Sequence, residues 1–248
     1  MPVQNRWHPR NNNRFAHYAF FCTLTAMYSR LRRLFGIRGT GTLCAMSVFC
    51  LLLSFGRRCV AADNFLSFLV WNLVLAFIPW LISAILHVRR FAVRSVQLFL
   101  MLLWLLFFPN APYILTDIIH LGKGKSFLLY YDLIILLAYS FTGLFYAFVS
   151  LHLIESILAR DFHIKRPFII SVFELYLCAF GIYLGRFLRW NSWDIVLHGR
   201  TILSDIGIRV IRPVFYVDTW MFVFLFGTML VLCYQSYRSF LTHTRNDK

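Results

Sequence analysis

Charged side chains are scarce in this chain: Asp, Glu, Lys and Arg make up only 14% of its 248 residues, and the acidic ones number 10. An average soluble domain carries about 25% charged residues, so an ordinary water-facing surface cannot be assembled from this sequence. Cysteine supplies no framework. Cys22, Cys44, Cys50, Cys59, Cys178 and Cys233 contain no CxxC pair and mostly sit inside apolar runs, which points away from a disulfide scaffold or a zinc cage. HExxH, GxSxG, a glycine-rich phosphate loop and a paired-carboxylate signature are all missing, which leaves the common hydrolase and nucleotide-binding families without a foothold. No small-residue cleavage site follows the apolar stretch Phe15–Tyr28, so the N-terminus is expected to be retained and this stretch to form an interfacial helix.

What the chain has in abundance is apolar and aromatic surface, 60% and 19% of its residues. The net charge of +15 comes from short basic clusters between long apolar runs, with no nucleic-acid motif beside them; the lipid bilayer, not nucleic acid, is the expected partner. A helix needs about 20 apolar residues to cross the hydrocarbon core. Six runs qualify: Thr40–Phe55, Phe65–His87, Val96–Leu121, Phe127–Ile154, Phe168–Phe187 and Val214–Tyr234. The expected fold is an all-α polytopic membrane bundle, with a basic extension over 1–39, six helices over 40–234 and a tail over 235–248.

Lysine and arginine set the orientation, because cytoplasmic loops keep the excess of positive charge. Sixteen fall on the side that holds both termini and nine on the other, so both termini are expected in the cytoplasm. FLRWNSWD, Phe187–Asp194, then lies on the outer side, against the trend that draws arginine inward. After it, Thr201–Arg212 places Ile202, Leu203, Ile206 and Val210 on one face and Arg200, Asp205, Arg209 and Arg212 elsewhere, the pattern of a helix lying on a membrane.

The third run contains PNAP. Pro109 and Pro112 disfavour helical angles at Phe108 and Ala111, which predicts a proline-broken third helix with a second short helix opening at Pro112. Such breaks mark binding sites in transporters and are also common in structural spans. In the short helix that follows, Thr116, Asp117 and His120 share a face, and Asp117 and His120 at i, i+3 fit a metal or a shared proton, or a solvated interface.

Asp132 opens the fourth run where a charge needs a partner or water, and an arginine of FLRWNSWD is the expected partner. Asp132, Tyr139 and Gly143 recur as one stripe that should face protein. In the fifth run, GIYLG gives a small-xxx-small face through Gly181 and Gly185, suited to close approach of another helix, including one from a membrane-protein partner. Glu174 and Cys178 continue that stripe. Glu174 is expected toward the cytoplasmic half, in helix packing or proton coupling.

Trp190 and Trp193 fit an aromatic belt. Arg186 and Arg189 are candidates either to clamp a phosphate or carboxylate through two hydrogen bonds each or to pair Asp117, Asp132 or headgroup phosphates as structural anchors, with Asn191 and Asp194 orienting a ligand or capping backbone. Asn72 and Asn110 complete the candidate ligand-binding set; Asp117, His120 and Asp132 are the candidates for metal or proton chemistry. All would line one outward-facing pocket if the helices bring them together.

The stretches WNLVLAFIPWLIS, LLWLLFFPNAPYILTDIIHL, YYDLIILLAYSFTG and GIYLGRFLRWNSWD resemble the bacterial membrane-protein family known as domain of unknown function 1361, over roughly Leu43–Tyr234. The resemblance implies a bacterial inner-membrane, multi-span protein and carries no established activity, cofactor or catalytic residue. Three functional classes follow from the residues: binding of an anionic lipid or lipid-linked phosphate in the polar pocket, secondary transport, or an accessory subunit of a membrane complex.

Overall fold

The computed structural model describes residues 36–37, 39–61, 64–89, 91, 93–123, 126–190 and 194–246. The chain divides into units Met1–Gly41 and Thr42–Lys248, and the fold that follows is that of the second. Phe15–Tyr28 lies outside the described residues.

Among the described residues every regular element is helical, as high apolar content without alternating strand patterns dictates. The long helices are α1 (Thr40–Ala61), α2 (Phe68–Val88), α3 (Arg94–Phe107), α5 (Leu129–Asp161), α6 (Pro167–Phe187) and α9 (Val217–Asn246). Shorter ones are α4 (Asn110–Tyr113), α7 (Asp194–Leu197) and α8 (Gly199–Ile211), with 3₁₀ turns at Ile114–His120, Ser126–Leu128 and Pro213–Tyr216. Six segments, with Arg94–His120 taken as one, are long and apolar enough to cross a membrane. The protein is a multi-pass membrane protein, as the six apolar runs predicted, with helices that extend several residues past the apolar limits.

The predicted break at PNAP takes a different form from the expected one. Phe108 keeps helical angles (φ −54°, ψ −41°), its N–H bonds Trp104 O at 2.8 Å, and Pro109 follows at φ −60°, ψ −23°. The chain does not open into extended residues. It passes through a turn and tightens from α into 3₁₀ winding, which lets the proline rings sit without a clash while the path stays helical. Non-standard backbone at membrane depth needs its carbonyls satisfied internally. Asn110 Nδ2 bonds Phe107 O at 3.0 Å, Thr116 Oγ1 bonds Tyr113 O at 2.7 Å, and Ser140 Oγ from α5 bonds Ile114 O at 3.1 Å.

Glycine makes room for this segment on both sides. A Cβ at Gly143 of α5 would collide with the Ala111 carbonyl oxygen, one at Gly181 of α6 would stand 3.0 Å from Pro109 Cγ, and one at Gly185 would meet Tyr113 at 3.3 Å. The GIYLG face is thus turned inward onto the chain's own PNAPY, which corrects its expected use by a separate partner. α2 and α5 form the most closely packed pair, α6 and α9 the next, and the PNAPY segment lies against α2 and α5.

α1 is joined differently. Its backbone stays farther from its neighbours than those of the other spanning helices, and side chains bridge the gap in an antiparallel ladder to α5. Ser47 pairs with the Tyr146 hydroxyl at 2.9 Å, Cys50 with Thr142 at 3.3 Å, Ser54 with the Tyr139 hydroxyl at 2.7 Å, and Arg57 Nε with Asp132 Oδ1 at 2.5 Å. The steps of three and four residues along α1 put all four on one face. Tyr131 adds a hydroxyl bond to Leu53 O at 2.9 Å beside Gly56.

Candidate functional site: an apolar-walled cavity with polar residues

α2 begins, the Arg94–His120 segment finishes and α6 finishes at the same end of the bundle, where a cavity of about 560 Å³ opens between them. Its walls are apolar: Phe68 and Leu75 from α2, Leu105 and Leu106 from α3, Leu177, Phe180 and Leu184 from α6, Ile202 and Ile206 from α8. Its polar residues are Asn72, Asn110, Asp117, His120 and Arg186, five of the sequence-derived candidates brought together from three segments.

Asp117 is the hinge of that cluster. It is 1% exposed, bonds Asn72 Nδ2 through Oδ2 at 2.8 Å, and pairs through Oδ1 with Arg186 Nη2. Arg186 also donates to Thr116 Oγ1 from Nε at 2.9 Å and from Nη2 at 2.6 Å, and its guanidinium lies 4.3 Å over the Tyr113 ring. Two charges taken out of water are tolerated only when paired and hydrogen-bonded, and here both conditions hold. Neither Nε nor Nη2 is left over. Nη1 makes no hydrogen bond to the described residues, and Arg186 lines the cavity.

His120 does not bond Asp117. It packs edge-on against Phe68 at 5.2 Å and lies 3.5 Å from Nζ of the exposed Lys123. Trp190 lines the cavity, and its Nε1 bonds Asp205 Oδ2 at 2.9 Å, which fastens α8 across the opening. α8 divides its expected apolar face: Ile202 and Ile206 turn to the cavity, while Leu203 and Val210 are exposed and Arg209 is buried with its guanidinium 4.8 Å over Tyr216.

The other candidates fall elsewhere. Asp132 is 2% exposed and paired with Arg57 of α1, itself 2% exposed, not with an arginine of FLRWNSWD. The correction has a simple cause: Arg57 sits one step along the α1 ladder face, whereas Arg189, the arginine of that stretch, is exposed and Arg186 just before it is engaged by Asp117. Arg189 is exposed, holds a left-handed φ of 61°, and does not line the cavity. Asp194 begins α7 and does not line it either. Asn191 and Trp193 lie outside the described residues. Asp117, His120 and Asp132 therefore form no common metal site, and among the described residues no group of three His, Cys, Asp or Glu side chains could hold a metal ion.

Sequence reading missed Tyr113 as the platform under Arg186, Asp205 as the latch for Trp190, and Lys123 beside His120. Tyr113 carried one usable signal, its place at the end of PNAPY facing GIYLG. The other two had none, since both are ordinary polar residues at a predicted membrane surface.

An all-helical bundle with six membrane-crossing segments and an internal, laterally apolar cavity defines a polytopic integral membrane protein. Residues 71–233 match the family described as protein of unknown function, DUF1361, and the chain belongs to that family. The match starts within α2, later than the Leu43 expected from the motifs, so α1 and its ladder stand outside it. No curated protein and no solved structure gives a significant match.

Proposed function

We propose that the protein binds a lipid-like amphiphile with an anionic, phosphate-bearing headgroup in this cavity. The observation that carries the reading is the pairing of about 560 Å³ of apolar-walled space with one polar end. Ligand sites are mostly apolar with a few convergent polar groups. Acyl or isoprenoid chain would lie against Leu105, Leu177 and Leu184, and the headgroup would meet Arg186, Asn72, Asn110 and His120, with Lys123 beside His120. The Asp117 pair takes up much of the Arg186 charge, so the headgroup would be held by several donors together, not by an arginine clamp. Arg189 has no part in it.

The same reading puts both termini in the cytoplasm and the cavity on the outer side of a plasma membrane, on the sixteen-to-nine distribution of lysine and arginine. Native mass spectrometry of full-length protein extracted in mild detergent tests the ligand. The expected result is a stoichiometric phospholipid-sized adduct that survives Arg189→Ala, weakens in Arg186→Lys and disappears in Leu184→Trp, which fills the cavity. An adduct of inorganic phosphate mass alone would reject the lipid, and adducts identical in wild type and Leu184→Trp would reject the cavity as its site.

A further inference from the structure

In the other half of the bundle, α5, α6 and α9 gather a second set of ionisable groups, some buried and some half-buried, that the cavity does not use. Glu155 lies 23 positions along α5 from Asp132, a rise of about 34 Å at 1.5 Å per residue. It is 4% exposed, and its Oε2 takes Arg238 Nε of α9 at 3.2 Å and faces His152 Nδ1 at 3.9 Å. Glu155 Oε1 has no hydrogen-bond partner among the described residues. The same holds for Glu174 Oε2 on α6 and for the hydroxyl of Tyr234 on α9, a residue 0% exposed.

Contacts on either side bring this stretch of α6 against that of α9: Tyr176 OH meets Thr228 Oγ1 at 2.9 Å and the Arg238 guanidinium lies 4.4 Å over Phe168, while Glu174 and Tyr234 each feel the Glu155 carboxyl. The surroundings are apolar. Phe148 packs 5.5 Å from the Tyr234 ring and Tyr237 lies 6.2 Å from it, while Cys178 stands one turn beyond Glu174 on α6. Arg238 and His152 are spent on Glu155, and Glu174 forms no ion pair with the described residues.

A lone ionised carboxylate in an apolar setting is costly, and a second carboxylate nearby raises the cost further. Glu174 is half-buried, and its Oε2 sits without a hydrogen-bond partner among the described residues in that apolar setting, which favours the neutral carboxyl. The described residues offer no third His, Cys, Asp or Glu ligand for a metal ion. A proton needs no such cage. It removes the charge and turns one carboxyl oxygen into a hydrogen-bond donor.

We propose that Glu174 carries an exchangeable proton, with Glu155 and Tyr234 as its neighbouring acceptor and hydroxyl, forming a proton-binding centre in the half of the bundle opposite the cavity. The charged and titratable groups around it are Glu155 and His152 from α5, Tyr234, Tyr237 and Arg238 from α9, and Cys178 from α6, with His87 of α2 beyond His152. The centre stands independently of the cavity's ligand.

The test uses the full-length protein in native membranes and dicyclohexylcarbodiimide, an apolar reagent to which a protonated carboxyl adds across one C=N bond with no atom lost. Peptide mass spectrometry then maps the adduct across a pH series. The expected result is a label on Glu174 that declines as pH rises, vanishes in Glu174→Gln, persists in Glu155→Gln and is indifferent to sodium. Protection by sodium would assign a cation in place of the proton, and labelling of Glu155 alone would move the proton to the wrong residue; either overturns the proposal.

Infrared spectroscopy reads the same proton without reagent access. A protonated-carboxyl C=O band at neutral pH, lost in Glu174→Gln and shifted out as the pH is raised, is expected. Its absence from wild type overturns the proposal whatever the reagent does. Glu174→Gln mimics the neutral carboxyl and is expected to keep the wild-type melting midpoint; a large fall would mean that the fold requires the ionised form, which also overturns it.

Discussion

Arg186 shows how the structure chooses between two roles that one residue can fill. Its type and its position at a helix end marked it for an anion, yet most of its hydrogen-bonding capacity goes to Asp117 and Thr116 of the same chain. Removing one member of a buried pair leaves the other uncompensated and costs about 3–5 kcal/mol. Arg186→Ala is therefore expected to lower the melting midpoint in detergent sharply, with Asp117→Asn added on top restoring much of the loss. Arg189→Ala, at an exposed residue outside the cavity, is expected to leave the midpoint within experimental scatter. Equal losses for Arg186→Ala and Arg189→Ala would contradict this division. Asp132 makes the same point: its need for a partner was legible from its depth, but the partner, Arg57, lies 75 positions away and no local pattern names it.

At the level of elements, the decisive contacts are those between helices and the irregular PNAPY segment. Gly143 is packed so closely on Ala111 O that Gly143→Ala requires backbone to move, an overpacking cost of about 1–3 kcal/mol. Gly207 in α8 has nothing within 4 Å of the position a Cβ would take, so Gly207→Ala is expected to stabilise by roughly 0.5–1 kcal/mol through helix propensity. Thermal unfolding of the two variants side by side checks the contrast in sign. For the ladder between α1 and α5, hydrogen bonds inside membranes average about 0.6 kcal/mol in double-mutant cycles. A cycle over Ser54→Ala and Tyr139→Phe is expected to return a coupling of that order, whereas Arg57→Ala with Asp132→Ala is expected to return several times more. Zero coupling at both pairs would mean that α1 is held by lipid-facing packing alone.

The whole molecule is a bundle with two separate polar centres, a cavity at the end where α6 finishes and a carboxylate cluster toward the other. Sidedness is a property only of the whole. With six crossings, Arg58→Cys, Lys123→Cys and Arg200→Cys in a background without native cysteines are expected to react together with a membrane-impermeant maleimide, and His163→Cys from the other side. Reaction of Lys123→Cys and His163→Cys from the same side would undo the six-span arrangement.

The membrane class, the number of spans and the stripe of Asp132, Tyr139 and Gly143 were determined by the sequence alone, because burial in lipid acts on runs of residues and helical spacing orders their faces. So was the list from which the cavity draws Asn72, Asn110, Asp117, His120 and Arg186. Only the tertiary structure decided that Arg57 claims Asp132, that GIYLG receives PNAPY, that Arg189 stands aside and that Phe108 stays helical before a proline. These are outcomes of competition among a few like-charged or small residues for the same neighbours. Composition and period cannot rank such competitors, since the winner is set by which helix faces meet at which depth.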